Sequence, residues 1–279
     1  MSKKFTCLLI CLLWLSACSR EAETPAAVNG EGQKNSLTLD KKEDIPASFF
    51  PDPVQIVSIG DSLTEGVGDS TDKGGYVPYL QRQLEKEPSI TAVNIINHGV
   101  RGSRTDQLLK RMEQTETKRD IRKADSVVIT IGGNDIMKVV RNHFSDLQME
   151  QFEQARKGYE KRLGKIINKV KEENQQAQIY LVGVYNPFSD YLTSFKELDV
   201  ISEDWNDSSR KVLRKFPGSH FVEIEDIFSK QGEKLLFKDD NFHPNDRGYE
   251  KIASRIYQNM EGNSLGDNTL EASAKGNEE

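Results

Sequence analysis

The chain has 279 residues, 36% hydrophobic and 29% charged, with a formal net charge of −6. This is the composition of a soluble globular domain with one sizeable core, and no Lys/Arg stripe interleaved with aromatics marks a nucleic-acid surface. The cysteines are Cys7, Cys11 and Cys18 alone, which excludes a disulfide framework or a cysteine metal site in the body of the chain.

The amino end reads as a targeting segment. Lys3 and Lys4 precede an apolar run from Phe5 to Leu15 that is short for a bilayer span. It ends in Leu15-Ser16-Ala17-Cys18, which resembles a bacterial lipoprotein signal. Residues 1–17 would then be removed, and Cys18 would become a lipidated first residue. Loss of Lys3 and Lys4 takes the net charge from −6 to −8. The polar stretch to residue 47 reads as a flexible tether with an end-to-end distance of ~30 Å. These features place a domain over 48–260 at the extracytoplasmic face of the cell membrane, touching it through the lipid anchor only. Residues 261–279 have the tether's character and read as a disordered tail.

Within the domain, strands and helices alternate. Residues 54–59 form a β-branched run that breaks at Gly60 into a polar turn holding Ser62. A helix is expected over 76–87 and a strand over 92–97, followed by a loop from Asn97 to Thr105. The strand expected over 125–131 leads into Gly132-Gly133-Asn134-Asp135. Phe152, Ala155, Tyr159, Leu163, Ile166, Ile167 and Val170 then recur at helical spacing. A strand over 178–184 is followed by the aromatic loop 185–191, a helix at about 195–215 and a weaker strand over 220–224. The last helix carries the stripe Tyr249, Ile252, Ala253, Ile256, Tyr257 and Met260. The near-continuous apolar strands suit a sheet buried on both faces. The alternation predicts a doubly wound α/β/α sandwich around a parallel sheet of about five strands.

Polar residues gather at the strand ends, where open α/β sheets place their ligand crevice. Ser62, Gly102 and Asn134 should therefore be neighbours, and the loop Asp240-Asn241-Phe242-His243-Pro244 can bring a histidine and a carboxylate over the same edge. A serine hydroxyl needs a base to become a nucleophile. Histidine is the usual base near neutral pH, and a carboxylate on its second nitrogen fixes the tautomer. A developing oxyanion needs preorganised donors, which a glycine N–H and an asparagine amide can supply. Each residue also has a plainer use. Ser62 can cap the next segment, Asn134 and Asp135 can end a turn, and His243-Pro244 can open a helix. Asp239 competes with Asp240. His143 and His220 lack acidic or glycine context and read as structural.

Gly-Asp-Ser-Leu at 60–63, Asn-x-Gly-x-x-Gly at 97–102, Gly-Gly-Asn-Asp at 132–135 and Asp-x-x-His-Pro at 240–244 together resemble the four sequence blocks of the SGNH (GDSL) hydrolases, in order and across about 54–260. The resemblance implies a flavodoxin-like fold and ester hydrolysis with no cofactor and no metal. By position, Ser62 matches the nucleophile, His243 the base and Asp240 the triad acid. Gly102 rather than Gly99 matches the oxyanion-hole glycine, Asn134 the oxyanion-hole asparagine, and the Ser62 N–H the third donor. With the lipoprotein signal, the chain resembles membrane-anchored esterases of Gram-positive bacteria. His98 and Arg101 depart from the family pattern. They either narrow the site or touch substrate, or are solvated loop residues.

The expected substrate is a small-molecule or lipid ester acted on by a monomer: a short or medium acyl ester, a lysophospholipid-like lipid, an acylated cell-wall sugar or a thioester. The segments 65–75, 101–106 and 186–194 are mostly polar, which favours short to medium acyl chains. The rival readings are a flavodoxin-like cofactor binder and a surface binding protein with a vestigial site.

Overall fold

The structure is a computed structural model that describes residues 53–88, 90–188, 197–229 and 233–275. The signal segment, Cys18, the tether and residues 189–191 of the aromatic loop lie outside the described residues.

Five strands form the sheet: β1 (Val54–Gly60), β2 (Val93–Gly99), β3 (Ser126–Thr130), β4 (Gln178–Val182) and β5 (Ser219–Val222). All pair in parallel, in the order β2-β1-β3-β4-β5. This is the flavodoxin-like order, and its switch point lies between β1 and β3, where crossovers leave to opposite faces and open a crevice. The register aligns the strand ends there. Gly60 faces Gly99 on one side and Thr130 on the other.

Side-chain alternation divides the strands between two cores. Val57, Ile59, Val127, Ile129, Ile179 and Leu181 point to one layer. That layer is covered by α3 (Thr105–Arg111), α4 (Thr115–Arg122), α5 (Gly133–Asn142), α6 (Met149–Glu173) and α7 (Glu197–Leu213). Ile56, Val128, Tyr180 and Val182 point to the other layer. It is closed by α2 (Val77–Leu84), the short α8 (Glu225–Phe228) and α9 (Asp246–Lys275). A further short helix, α1 (Ser62–Glu65), follows β1 directly.

Five helices lie where no helix is legible in the sequence, namely the single turns α1 and α8 together with α3, α4 and α5. In α4 only Thr117, Asp120 and Ile121 are buried, too few apolar groups to write a stripe. α3 and α5 are short and begin inside the polar loops after β2 and β3. β2 runs on through His98 and Gly99, which therefore belong to the strand. α9 stays helical past Met260 as far as Lys275, so residues expected as tail continue the helix. Among the described residues, no helix is long and apolar enough to cross a membrane.

Candidate active site

The turn after β1 is fixed from beneath by a buried polar chain. The Asp61 N–H donates to the Thr130 carbonyl (3.1 Å), and the Asp61 carboxylate accepts from the Leu63 N–H (3.1 Å), capping α1. The Thr130 hydroxyl donates to Asp61 Oδ1 (2.8 Å). Thr64 Oγ1 shares hydrogen bonds with Thr130 Oγ1 (2.7 Å) and the Tyr76 hydroxyl (3.1 Å). Burial pushes the Asp61 carboxyl up to about 7, against the hydrogen bonds from Thr130 and Leu63 that favour its charged form. Arg111 donates to the Gly60 carbonyl (2.7 Å) and to the Ser103 hydroxyl, tying the end of β1 to the loop after β2. Tyr249 of α9 donates to the Val67 carbonyl (2.7 Å). These ties hold Ser62 on a rigid turn. None has a local sequence signal, and Tyr249 reads from its spacing as core alone.

A closed loop before α9 carries the histidine and its carboxylate. The Phe237 N–H donates to the His243 carbonyl (2.7 Å) and the Asn245 N–H to the Leu235 carbonyl (2.8 Å). Asn245 also caps α9 by accepting from the Gly248 N–H (3.1 Å). Asp240 Oδ1 accepts from the Phe242 and His243 N–H groups (2.9 and 3.0 Å). Its Oδ2 lies 2.6 Å from His243 Nδ1. His243 Nε2 lies 2.9 Å from Ser62 Oγ.

Partial burial alone would raise the Asp240 carboxyl. The His243 ring and the two backbone donors outweigh it and hold the group below the ordinary carboxylate range. An ionised Asp240 can only accept. Nδ1 therefore carries the proton, and Nε2 presents its lone pair to the Ser62 hydroxyl. Asp240, and not Asp239, meets the imidazole.

Gly102 and Asn134 line one cavity with Ser62 and His243. Gly102 has φ +73 and an open space where a Cβ would sit, and among the described residues nothing accepts its N–H or that of Ser62. Gly99 differs. Its N–H already donates to Asn97 Oδ1 (2.8 Å), and a Cβ there would meet the Glu65 nitrogen at 2.1 Å, so it is a packing glycine. Asn134 sits in the first turn of α5. Its amide donates to the Ser103 carbonyl (3.2 Å) and keeps a second N–H.

Other singled-out residues have partners of their own. His98 Nε2 lies 2.9 Å from Asp120 Oδ2, and Arg101 pairs through Nε with Glu65 (2.9 Å). The Asp135 carboxylate accepts from Thr105 N–H (3.0 Å), Thr105 Oγ1 (2.7 Å) and Arg162 (3.0 Å), joining α3, α5 and α6. His220 stacks on Tyr180, and its ring lies 3.0 Å from Gln178 Oε1. Tyr185 stacks on Phe228 at 4.0 Å and donates to the Phe242 carbonyl (2.7 Å). The acidic group Glu203, Glu223 and Glu225 lies outside this site, with Arg210 donating to Glu203 and Glu223 (3.0 and 2.8 Å).

Two wider spaces open near Ser62, which itself lines only the first. One, about 350 Å³, is lined by Ser62, His243, Gly102, Asn134, Arg101 and Arg141. The second, about 450 Å³, is walled by Ile136, Met137, Val140, Leu198, Ile201 and Phe242. This apolar lining departs from the polar surround expected of the bordering loops. It comes from α5 and α7, whose apolar residues serve core and cavity alike. A separate hollow of about 960 Å³ between α3, α6 and α7 shares none of this lining.

The profile of the GDSL-like lipase/acylhydrolase family matches residues 58–251. The chain belongs to this family. The family's chemistry makes it an ester hydrolase. Among curated relatives, it is 36% identical over 255 residues to the uncharacterized protein YpmR of Bacillus subtilis, covering 91% of this chain and 94% of the relative. It is 24% identical over 219 residues to the spore germination lipase LipC of Bacillus licheniformis, covering 75% and 99%. Among solved structures, a lipase from a goat rumen metagenome superposes with a TM-score of 0.65 at 24% identity, over 73% of this chain and 95% of that one. A variant acetyl-xylooligosaccharide esterase of Geobacillus superposes at 0.54 with 21% identity, over 74% and 93%. These two likenesses establish the α/β fold.

Proposed function

We propose that this hydrolase is a serine esterase working through an acyl-enzyme, with Ser62 as nucleophile, His243 as base and Asp240 as its orienting carboxylate. The observation that carries the reading is the unbroken relay from Asp240 Oδ2 through His243 to Ser62 Oγ, at 2.6 and 2.9 Å. Ser62 Oγ attacks the ester carbonyl carbon while His243 Nε2 takes its proton. The N–H groups of Ser62 and Gly102 and the amide of Asn134 hold the oxyanion. Collapse expels the alcohol, which receives the proton from His243. Water, deprotonated by His243, then attacks the acyl-enzyme, releasing the carboxylic acid and restoring the Ser62 hydroxyl. Ionised Asp240 stabilises the imidazolium in both halves. No cofactor enters these steps.

We further propose that the enzyme is a monomer on the outer face of the cell membrane, held there by lipid on Cys18, a reading supported by the Leu15-Ser16-Ala17-Cys18 pattern. The esterase mechanism is tested with a panel of carboxylic esters and thioesters run on native protein and on Ser62→Ala. Ser62-dependent turnover of the oxygen esters is expected. Undiminished turnover by Ser62→Ala would overturn the mechanism. A preference for thioesters would make the protein a thioesterase.

A further inference from the structure

The two wider spaces near Ser62 differ in chemistry, and His243 indicates which part of a substrate each receives. The histidine that deprotonates Ser62 must later hand that proton to the departing alcohol oxygen, so the alcohol part leaves on the His243 side. His243 lines the cavity of about 350 Å³ that also holds Arg101 and Arg141. It does not line the apolar cavity of about 450 Å³ between α5 and α7. That cavity meets the site at Met137 and Phe242, which line both spaces. The acyl part is therefore directed between α5 and α7.

The charge on the alcohol side is unbalanced. No carboxylate lines that cavity. Arg101 is neutralised by Glu65, whereas Arg141 meets no carboxylate among the described residues. A guanidinium offers a planar fork of donors suited to phosphate or carboxylate oxygens. On the acyl side, the apolar lining continues onto the surface at Phe144, which is 85% exposed, and Leu147, which is 40% exposed. An exposed phenylalanine alone needs no explanation. Here two apolar residues line the outer part of an apolar cavity that stops short of Ser62 and is joined to it through a narrow space sharing Gly133, Tyr185, Pro187 and Phe242.

Resting on the esterase reading of Ser62, we propose that the substrate is an amphiphilic ester, with a long apolar acyl chain lodged between α5 and α7 and an anionic alcohol part held by Arg141. Attack by Ser62 breaks the acyl–oxygen bond, leaving the acyl chain on the serine and releasing the anionic alcohol. Water then releases the fatty acid.

The test has two arms, both on the full protein below micelle formation. In the first, kcat/KM is measured for p-nitrophenyl esters from two to ten carbons. It should rise by up to roughly fourfold per added CH₂, and Val140→Trp should collapse the ratio of decanoate to acetate. In the second, decanoyl lysophosphatidylglycerol is compared with decanoyl lysophosphatidylcholine. The anionic lipid should be preferred, and Arg141→Glu should erode that preference by at least about tenfold. A flat chain-length profile in native protein would overturn the acyl assignment. A preference that Arg141→Glu leaves intact, or no preference at all, would overturn the anionic one. Turnover that survives Ser62→Ala would instead overturn the esterase mechanism, which separates the two failures.

Discussion

His243 Nε2 lies 2.9 Å from Ser62 Oγ, although the two stand 181 positions apart in the chain. The contact joins the turn after the first strand to the loop before the last helix, and it exists only because the parallel register brings both to one edge of the sheet. Ser62→Ala and His243→Ala are each expected to remove nearly all hydrolysis, and the double variant should be little worse, because the pair acts as a unit. Asp240→Asn should lose on the order of 10⁴ in kcat, as removal of the orienting carboxylate does in a serine protease. Asp239→Asn should stay near native. Steady-state kinetics on the four single variants and the double variant checks this, and a large loss in Asp239→Asn with activity kept in Asp240→Asn would contradict it.

Asn134 is separable from the nucleophile. Asn134→Ala should lower kcat by about 10²–10³ with little change in KM, since the donor matters only once the oxyanion develops. Asn134→Asp should be worse, because it sets a negative charge beside the developing one. A variant that mainly raised KM would show Asn134 to be a binding residue.

Asp61 makes stability depend on pH. Its folded-state carboxyl is raised to about 7 by burial, against hydrogen bonds that favour the ion. Between pH ~4 and ~7 the folded chain thus keeps a proton there that the unfolded chain has lost. Stability therefore falls as pH rises through this window and levels off above it, by on the order of 4 kcal/mol at most. Glu225, also raised to about 7, first by burial and then by Glu203, adds a slope of the same sign. Asp61→Asn cannot ionise, so its stability should fall less between pH 5 and 8. Denaturant unfolding of both proteins across that range checks this, and parallel profiles would contradict it.

The anchor is a prediction from Leu15-Ser16-Ala17-Cys18. Two acyl chains on Cys18 would suffice for stable membrane attachment. Cys18→Ser should leave the protein uncleaved or released, as cell fractionation would show. Cys18→Ser protein that is processed and still sediments with membranes would contradict the lipid anchor.

Much of the site was legible because α/β architecture puts chemistry at strand ends. Ser62, Gly102 and Asn134 each follow a readable apolar strand, and Asp240 stands three residues before His243. What could not be read comes from pairings with no local pattern. His98 meets Asp120 on a helix too charged to show a stripe. Asp135 looks like a cap but joins Thr105 and Arg162. The Asp61–Thr130–Thr64–Tyr76 chain is assembled from two strand ends and two helices. The apolar cavity was illegible for another reason. Ile136, Met137 and Val140 carry the same hydrophobic signal whether they face a core or a substrate.

Acyl-enzyme formation on Ser62 is tested most directly by covalent capture. Native protein incubated with an alkyl fluorophosphonate should gain one adduct, mapped by peptide mass spectrometry to Ser62, with loss of esterase activity in proportion. Ser62→Ala should gain none. A stoichiometric adduct on another residue, or full inactivation of native protein without modification of Ser62, would contradict the mechanism.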